Sequence, residues 1–172
     1  MELLDVMQQR YSVRKFDTKN IEEEKLDKIL EAGRIAPTAC NFQPQRILVI
    51  RKKENIDKLK KCTPFTFDAP VILLVCVDKD ISWVRKYDKK NHGEIDVSIV
   101  TAQMMLEAAS IGIGSTWVCS FDPQKVKEEF CLPSNYEPIN ILPLGYPKKE
   151  GKPSEKHYER YELSKTVFYE EF

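Results

Sequence analysis

The chain has 172 residues, and its 27 lysines and arginines are balanced by 27 aspartates and glutamates. That length suffices for one domain, residues 1–172, with a sizeable core. The charge balance leaves no whole-molecule field for nucleic acid or an anionic membrane, and no apolar run is long enough to span a bilayer. No nucleic-acid or membrane partner is therefore expected.

The start, Met1-Glu2-Leu3-Leu4-Asp5, is acidic and does not read as a signal peptide. Cys40, Cys62, Cys76, Cys119 and Cys131 are odd in number, scattered, and free of C-x-x-C spacing. They read as reduced thiols of a cytoplasmic protein, not as a disulfide framework or a zinc site. His92 and His157 are far apart and lack metal-ligand spacing, so no metal is expected.

Residues 2–9 read as a short helix with Leu3, Leu4, Val6 and Met7 on one side. Arg10-Tyr11-Ser12-Val13-Arg14 follows. In extended backbone, residues two apart point the same way, so Arg10, Ser12 and Arg14 converge. Paired guanidinium forks with a hydroxyl suit a phosphate or another electron-rich planar anion. The same residues also allow a plainer reading, with Arg10 at a helix C-terminus and Arg14 solvated.

A second helix is expected from about 22 to 35, with Leu26, Ile29, Leu30 and Ile35 as its stripe, ending before Pro37. The loop Pro37-Thr38-Ala39-Cys40-Asn41-Phe42-Gln43-Pro44 is stiffened by prolines and supplies polar side chains from Thr38, Asn41 and Gln43. It suits a ligand edge or a well-capped turn. Ile47–Ile50 reads as a strand, Lys52–Cys62 as an amphipathic helix, and Pro70–Val77 as an apolar strand covered on both faces. Residues 78–93 are polar and irregular, with Trp83 and Tyr87 as a pocket lid or as pins to the core.

Asp96–Ile111 is a long helix, apolar nearly all round, and so buried in the core or against another subunit. Its methionines read as packing. Ser115–Cys119 is a third strand. Pro123–Phe130 is a short helix begun by Asp122, and Pro138–Pro147 is a strand running into a turn. The tail from Lys148 looks extended and ends in Val167, Phe168, Tyr169 and Phe172, as if to dock on a partner subunit. Helices mixed with about four strands imply a sheet between helical layers. The glycines form neither G-x-G-x-x-G nor a P-loop, and there is no nucleophile elbow or kinase signature.

Four pieces occur in one order: Arg10–Phe16, Pro37–Pro44, the long helix leading to Gly112-Ile113-Gly114-Ser115-Thr116-Trp117, and Leu142-Pro143-Leu144-Gly145-Tyr146-Pro147. Together they resemble the FMN-dependent nitroreductase family in its short-chain form, over essentially the whole chain. The resemblance implies an α+β fold, a three-layer α-β-α sandwich around a mostly antiparallel sheet. It also implies a homodimer with FMN at the subunit interface and a C-terminal arm, about residues 148–172, exchanged across it.

Carried over by position, Arg10, Ser12 and Arg160 would hold the FMN phosphate. Arg14 would reach the ribityl chain and the N1/O2 edge of the ring. Pro37, Thr38 and Asn41 would come from the other subunit, with Gln43 supporting their loop. The Cys119-Ser120 backbone would face N5 and O4, and Leu144-Gly145 would lie nearby. Gln45 stands where many relatives carry an aromatic, and Cys119-Ser120 replaces smaller or acidic residues; both bear on pocket shape.

The resulting expectation is an NAD(P)H-dependent flavin oxidoreductase. NADH or NADPH would serve as co-substrate, in a ping-pong cycle that reduces nitroaromatics, quinones or other small conjugated acceptors. The hydride chemistry belongs to the cofactor, so no catalytic side chain is expected and Arg14 tunes the ring. The alternatives are a flavin-binding redox or sensing module, a flavin-destroying or dehalogenating relative on the same fold, and a dimeric structural protein whose arginines pair with acidic residues.

Overall fold

The computed structural model describes residues 2–172. At its centre lies a four-stranded antiparallel sheet. Its spatial order is β1 (Gln45–Ile50), β2 (Val71–Asp78), β4 (Tyr136–Gly145) and β3 (Gly114–Ser115).

β2 is buried along its whole length. Val71, Leu73, Val75 and Val77 enter one core layer, while Ile72, Leu74 and Cys76 enter the other. Its sequence is continuously apolar because side chains alternate between two faces and neither meets water. Helices α2 (Glu23–Arg34) and α4 (Gly93–Ser110) cover the first face through Leu26, Ile29, Val97, Val100 and Met104. Helices α3 (Lys53–Lys60) and α5 (Pro123–Glu129) cover the second through Leu59 and Val126. The expected three-layer α+β sandwich is present.

Several boundaries differ from the sequence expectation for physical reasons. α4 begins at Gly93, three residues before Asp96, because Asn91 Oδ1 accepts the Gly93 N–H at 2.8 Å. The backbone there lies so close to β2 that a Cβ on Gly93 would sit 2.5 Å from Val77 Cγ2. The third strand shrinks to Gly114–Ser115, with one further bridge from Val118 to Ile141. α4 buries one face, while Ile95 and Ile99 on another stay exposed. In α1 (Leu3–Gln9) only Val6 is buried; Leu3, Leu4 and Met7 are exposed.

The Arg10–Phe16 segment is extended and runs along β3. Ser12 bridges Ser115 in parallel, Phe16 bridges Pro147, and the Val13 N–H donates to the Ser115 carbonyl at 2.9 Å. The Thr116 hydroxyl donates to the Val13 carbonyl. Gly114 permits this approach: a Cβ there would come within 2.7 Å of Val13 Cγ2. The tail is not extended throughout, since Glu155–His157 and Leu163–Lys165 form 3-10 turns.

No helix among the described residues is long and apolar enough to cross a membrane. No group of His, Cys, Asp or Glu among them could hold a metal ion.

Candidate functional site

Val13 and Phe16 are buried, so the strap between α1 and α2 has a fixed inner side. Arg10, Ser12 and Arg14 are partly or fully exposed. They share a cleft of about 200 Å³ with Tyr11 and with Ser154, Lys156, His157 and Arg160 of the tail. The tail is tied to the strap at three points. The Lys148 N–H donates to the Lys15 carbonyl at 3.0 Å, Tyr11 Oη donates to the Gly151 carbonyl at 3.2 Å, and the Tyr11 and His157 rings meet edge to face at 6.3 Å. These ties carry Arg160 back beside Arg10, 150 positions earlier in the chain.

The arginines divide sharply. Arg34, Arg46, Arg51 and Arg85 each pair with a carboxylate, from Glu31, Asp78, Glu23 and Asp88 respectively. Among the described residues, Arg10, Arg14 and Arg160, all in the cleft, form no ion pair with a carboxylate, nor does Lys156. Cations gathered without counter-charge repel one another and retain unused donors, and a multivalent anion relieves both. The donor set fits a phosphate monoester.

The structure thus brings Arg10, Ser12, Arg14 and Arg160 together. Ser154, Lys156 and His157 join them without having been anticipated. No motif in the sequence marks them.

Cys119 and Ser120 form a separate exposed turn after β3. Neither backbone N–H there is engaged by another described group. Trp117 Nε1 donates to Cys119 Sγ at 3.0 Å. Leu144 and Gly145 are buried in β4, where Leu144 pairs with Val71 and Gly145 with Gly114.

Pro37, Thr38, Asn41 and Gln43 lie in another loop, outside the cleft, at the entry to β1. It carries a 3-10 turn, Ala39–Asn41, and left-handed backbone at Cys40, Asn41 and Gln43, with φ of 52°, 54° and 52°. Non-glycine residues adopt such angles at some cost, so the loop must be held. The buried Asp96 Oδ1 accepts the Ala39 N–H at 2.9 Å, and Thr38 Oγ1 accepts the Gln43 N–H at 3.0 Å. Gln43 Nε2 donates to the Asn41 carbonyl at 3.2 Å, so Gln43 does brace this loop.

A helix-covered antiparallel sheet with a basic cleft beside one edge defines an α+β protein whose donor set suits a phosphorylated ligand. The chain belongs to the nitroreductase family, whose family model matches residues 7–63 and 57–146. A nitroreductase family protein from Clostridium difficile 630 is 47% identical, with all of both chains covered and a TM-score of 0.94. An FMN-dependent nitroreductase from Clostridium difficile R20291 is 27% identical, covering 98% of this chain and 99% of its own, with a TM-score of 0.81. The FMN reductase [NAD(P)H] of Bacillus subtilis is 26% identical over 185 residues, covering 93% of this chain and 74% of its own.

Proposed function

We propose that this chain is an NAD(P)H-dependent flavin oxidoreductase that holds FMN. The observation that carries the reading is the unpaired state of Arg10, Arg14 and Arg160 in one cleft. When bound, FMN supplies a ring that takes a hydride from NADH or NADPH and passes it to a nitroaromatic, quinone or other small conjugated acceptor in a ping-pong cycle. Arg10, Ser12 and Arg160 bind the phosphate, and the hydroxyls and ring nitrogens of Ser154 and His157 stand ready to help. Arg14 binds the ribityl chain and the N1/O2 edge, where its fixed charge favours an anionic ring. The free N–H groups of Cys119 and Ser120 serve N5 and O4.

The working unit in this reading is a homodimer. Pro37, Thr38 and Asn41 then line the partner's flavin, and the arm at about 148–172 packs across the interface. Exposed Leu3, Leu4 and Met7 on α1, Ile95 and Ile99 on α4, and Phe168 and Phe172 in the tail support it, because association would remove them from water. All five cysteines are unpaired, which accords with a cytoplasmic setting.

The test is the absorption spectrum of the purified protein before and after added FMN, followed by anaerobic NADH or NADPH. Oxidised-flavin bands that bleach are expected, and Arg14→Ala should weaken FMN retention and slow bleaching. A protein that stays colourless and leaves added FMN free would overturn the reading. Flavin that bleaches but is not reoxidised by menadione or a nitroaromatic would mark a binding module instead of a reductase.

A further inference from the structure

The loop that follows α3 is bonded to the turn that follows β3. Thr63 is 3% exposed, and its Oγ1 donates to the Ser120 carbonyl at 2.6 Å. The same oxygen accepts the Phe65 N–H at 3.2 Å, so the hydroxyl both donates and accepts. One residue before Thr63 and two after Ser120, the Asp122 N–H donates to the Cys62 carbonyl at 2.9 Å. The Thr63 backbone is itself held by α3, its N–H donating to the Leu59 carbonyl at 3.1 Å. Beyond the turn, Asp122 caps α5 by accepting from the Gln124 and Lys125 N–H groups at 3.0 and 3.1 Å.

From this geometry we infer that Thr63 is a positioning residue that aims the Ser120 N–H into the flavin site. The inference rests on the function proposed above.

Two peptide planes carry the constraint. Thr63 grips the carbonyl of the 120–121 peptide, and a planar peptide moves as one body. The N–H of that same peptide donates to the Cys119 carbonyl at 3.1 Å, which locks the 119–120 plane to it. In a trans peptide the N–H points opposite the carbonyl. With the Cys119 carbonyl drawn towards Phe121, the Ser120 N–H therefore faces the other way, where no described group engages it. A donor oriented before its partner arrives needs no reorganisation when charge develops there. Without the Thr63 hydroxyl, the Ser120 carbonyl loses its side-chain donor and the turn can rotate towards water.

The test uses the full chain loaded with FMN and compares Thr63→Val, which keeps the shape and loses the hydroxyl, with Thr63→Ser, which keeps the hydroxyl. Thr63→Val is expected to hold FMN within about threefold of the parent affinity, because the phosphate cleft is untouched, yet to bleach about tenfold more slowly with saturating NADH. Its flavin midpoint potential should move to a more negative value, and Thr63→Ser should restore both properties. If Thr63→Val does not fold, Thr63→Ala against Thr63→Ser makes the same comparison.

A hydroxyl-free variant with the parent's potential and bleaching rate would overturn the inference. So would Thr63→Ser impaired as severely as Thr63→Val. A parent chain that binds no FMN would instead bring down the proposed function, and this role of Thr63 with it.

Discussion

The Tyr11 hydroxyl donates to the Gly151 carbonyl at 3.2 Å, joining residues 140 positions apart. This bond fastens the tail over the strap and so brings Arg160 to Arg10. Tyr11→Phe removes one partly buried hydrogen bond worth about 1 kcal/mol, which should weaken FMN about fivefold while riboflavin, lacking the phosphate, is unaffected. Fluorescence titration of both flavins measures it. Equal FMN affinity in Tyr11→Phe would show that the other two ties suffice.

Arg10→Ala and Arg160→Ala each remove a charged donor from the phosphate cleft. Hydrogen bonds to charged groups contribute about 1.5–3 kcal/mol, so each change should weaken FMN by about 10- to 150-fold. The fold should be little affected, because neither guanidinium is paired with a carboxylate in the free chain. Titration with FMN and circular dichroism of the apoprotein separate the two effects. Loss of secondary structure in either variant would assign that arginine to stability.

The thiols should fall into two reactivity classes. Cys40, Cys119 and Cys131 are exposed, whereas Cys62 and Cys76 are buried. Burial in the centre of β2, with the Glu137 carboxylate adding to it, pushes the Cys76 thiol up to about 12 and leaves almost no thiolate at neutral pH. A thiol reagent should modify the exposed three in the native protein and the buried two only on unfolding. Bound FMN should protect Cys119 in particular; rapid native modification of Cys76 would contradict the placement of β2.

Acid should act through Glu22. Its carboxylate accepts from the Tyr146 hydroxyl at 2.5 Å and pairs with Lys19 at 3.0 Å, and these contacts hold its pKa down to about 2 against an ordinary 4.5. A group whose pKa is lower folded than unfolded stabilises the fold above its unfolded value, and that contribution is lost as pH falls towards the folded one. Glu22→Gln should therefore be less stable than the parent at neutral pH, with the gap closing between about pH 4.5 and 2. Thermal unfolding across that range reads it, and added salt should narrow the gap because the site is exposed. Parallel curves for the two proteins would show that the contact contributes nothing to folding.

Much of the fold could be read along the chain because its signals are local. The apolar run Pro70–Val77 had to be a covered strand, Pro37 had to follow the end of α2, and Asp122-Pro123 had to begin α5. Alternation on the strap placed Arg10, Ser12 and Arg14 on one side, and the sheet bears this out by burying Val13 between them.

What stayed hidden depended on distant partners. α1 looks amphipathic but buries only Val6, and the third strand read over Ser115–Cys119 shrinks to Gly114–Ser115. The left-handed turn at Cys40–Gln43 has no glycine to announce it; it exists because Asp96, far along the chain, holds Ala39. Thr63 carries no motif, and its role comes from a carbonyl 57 positions away.

Hydrophobic period, proline and side-chain alternation were therefore enough to set the layers and the orientation of the strap. Which cations share a cleft, and which turns are rigid, was settled by hydrogen bonds closing over 57 to 140 residues. Such closures depend on where the packed sheet puts each carbonyl, and no short window of residues encodes that.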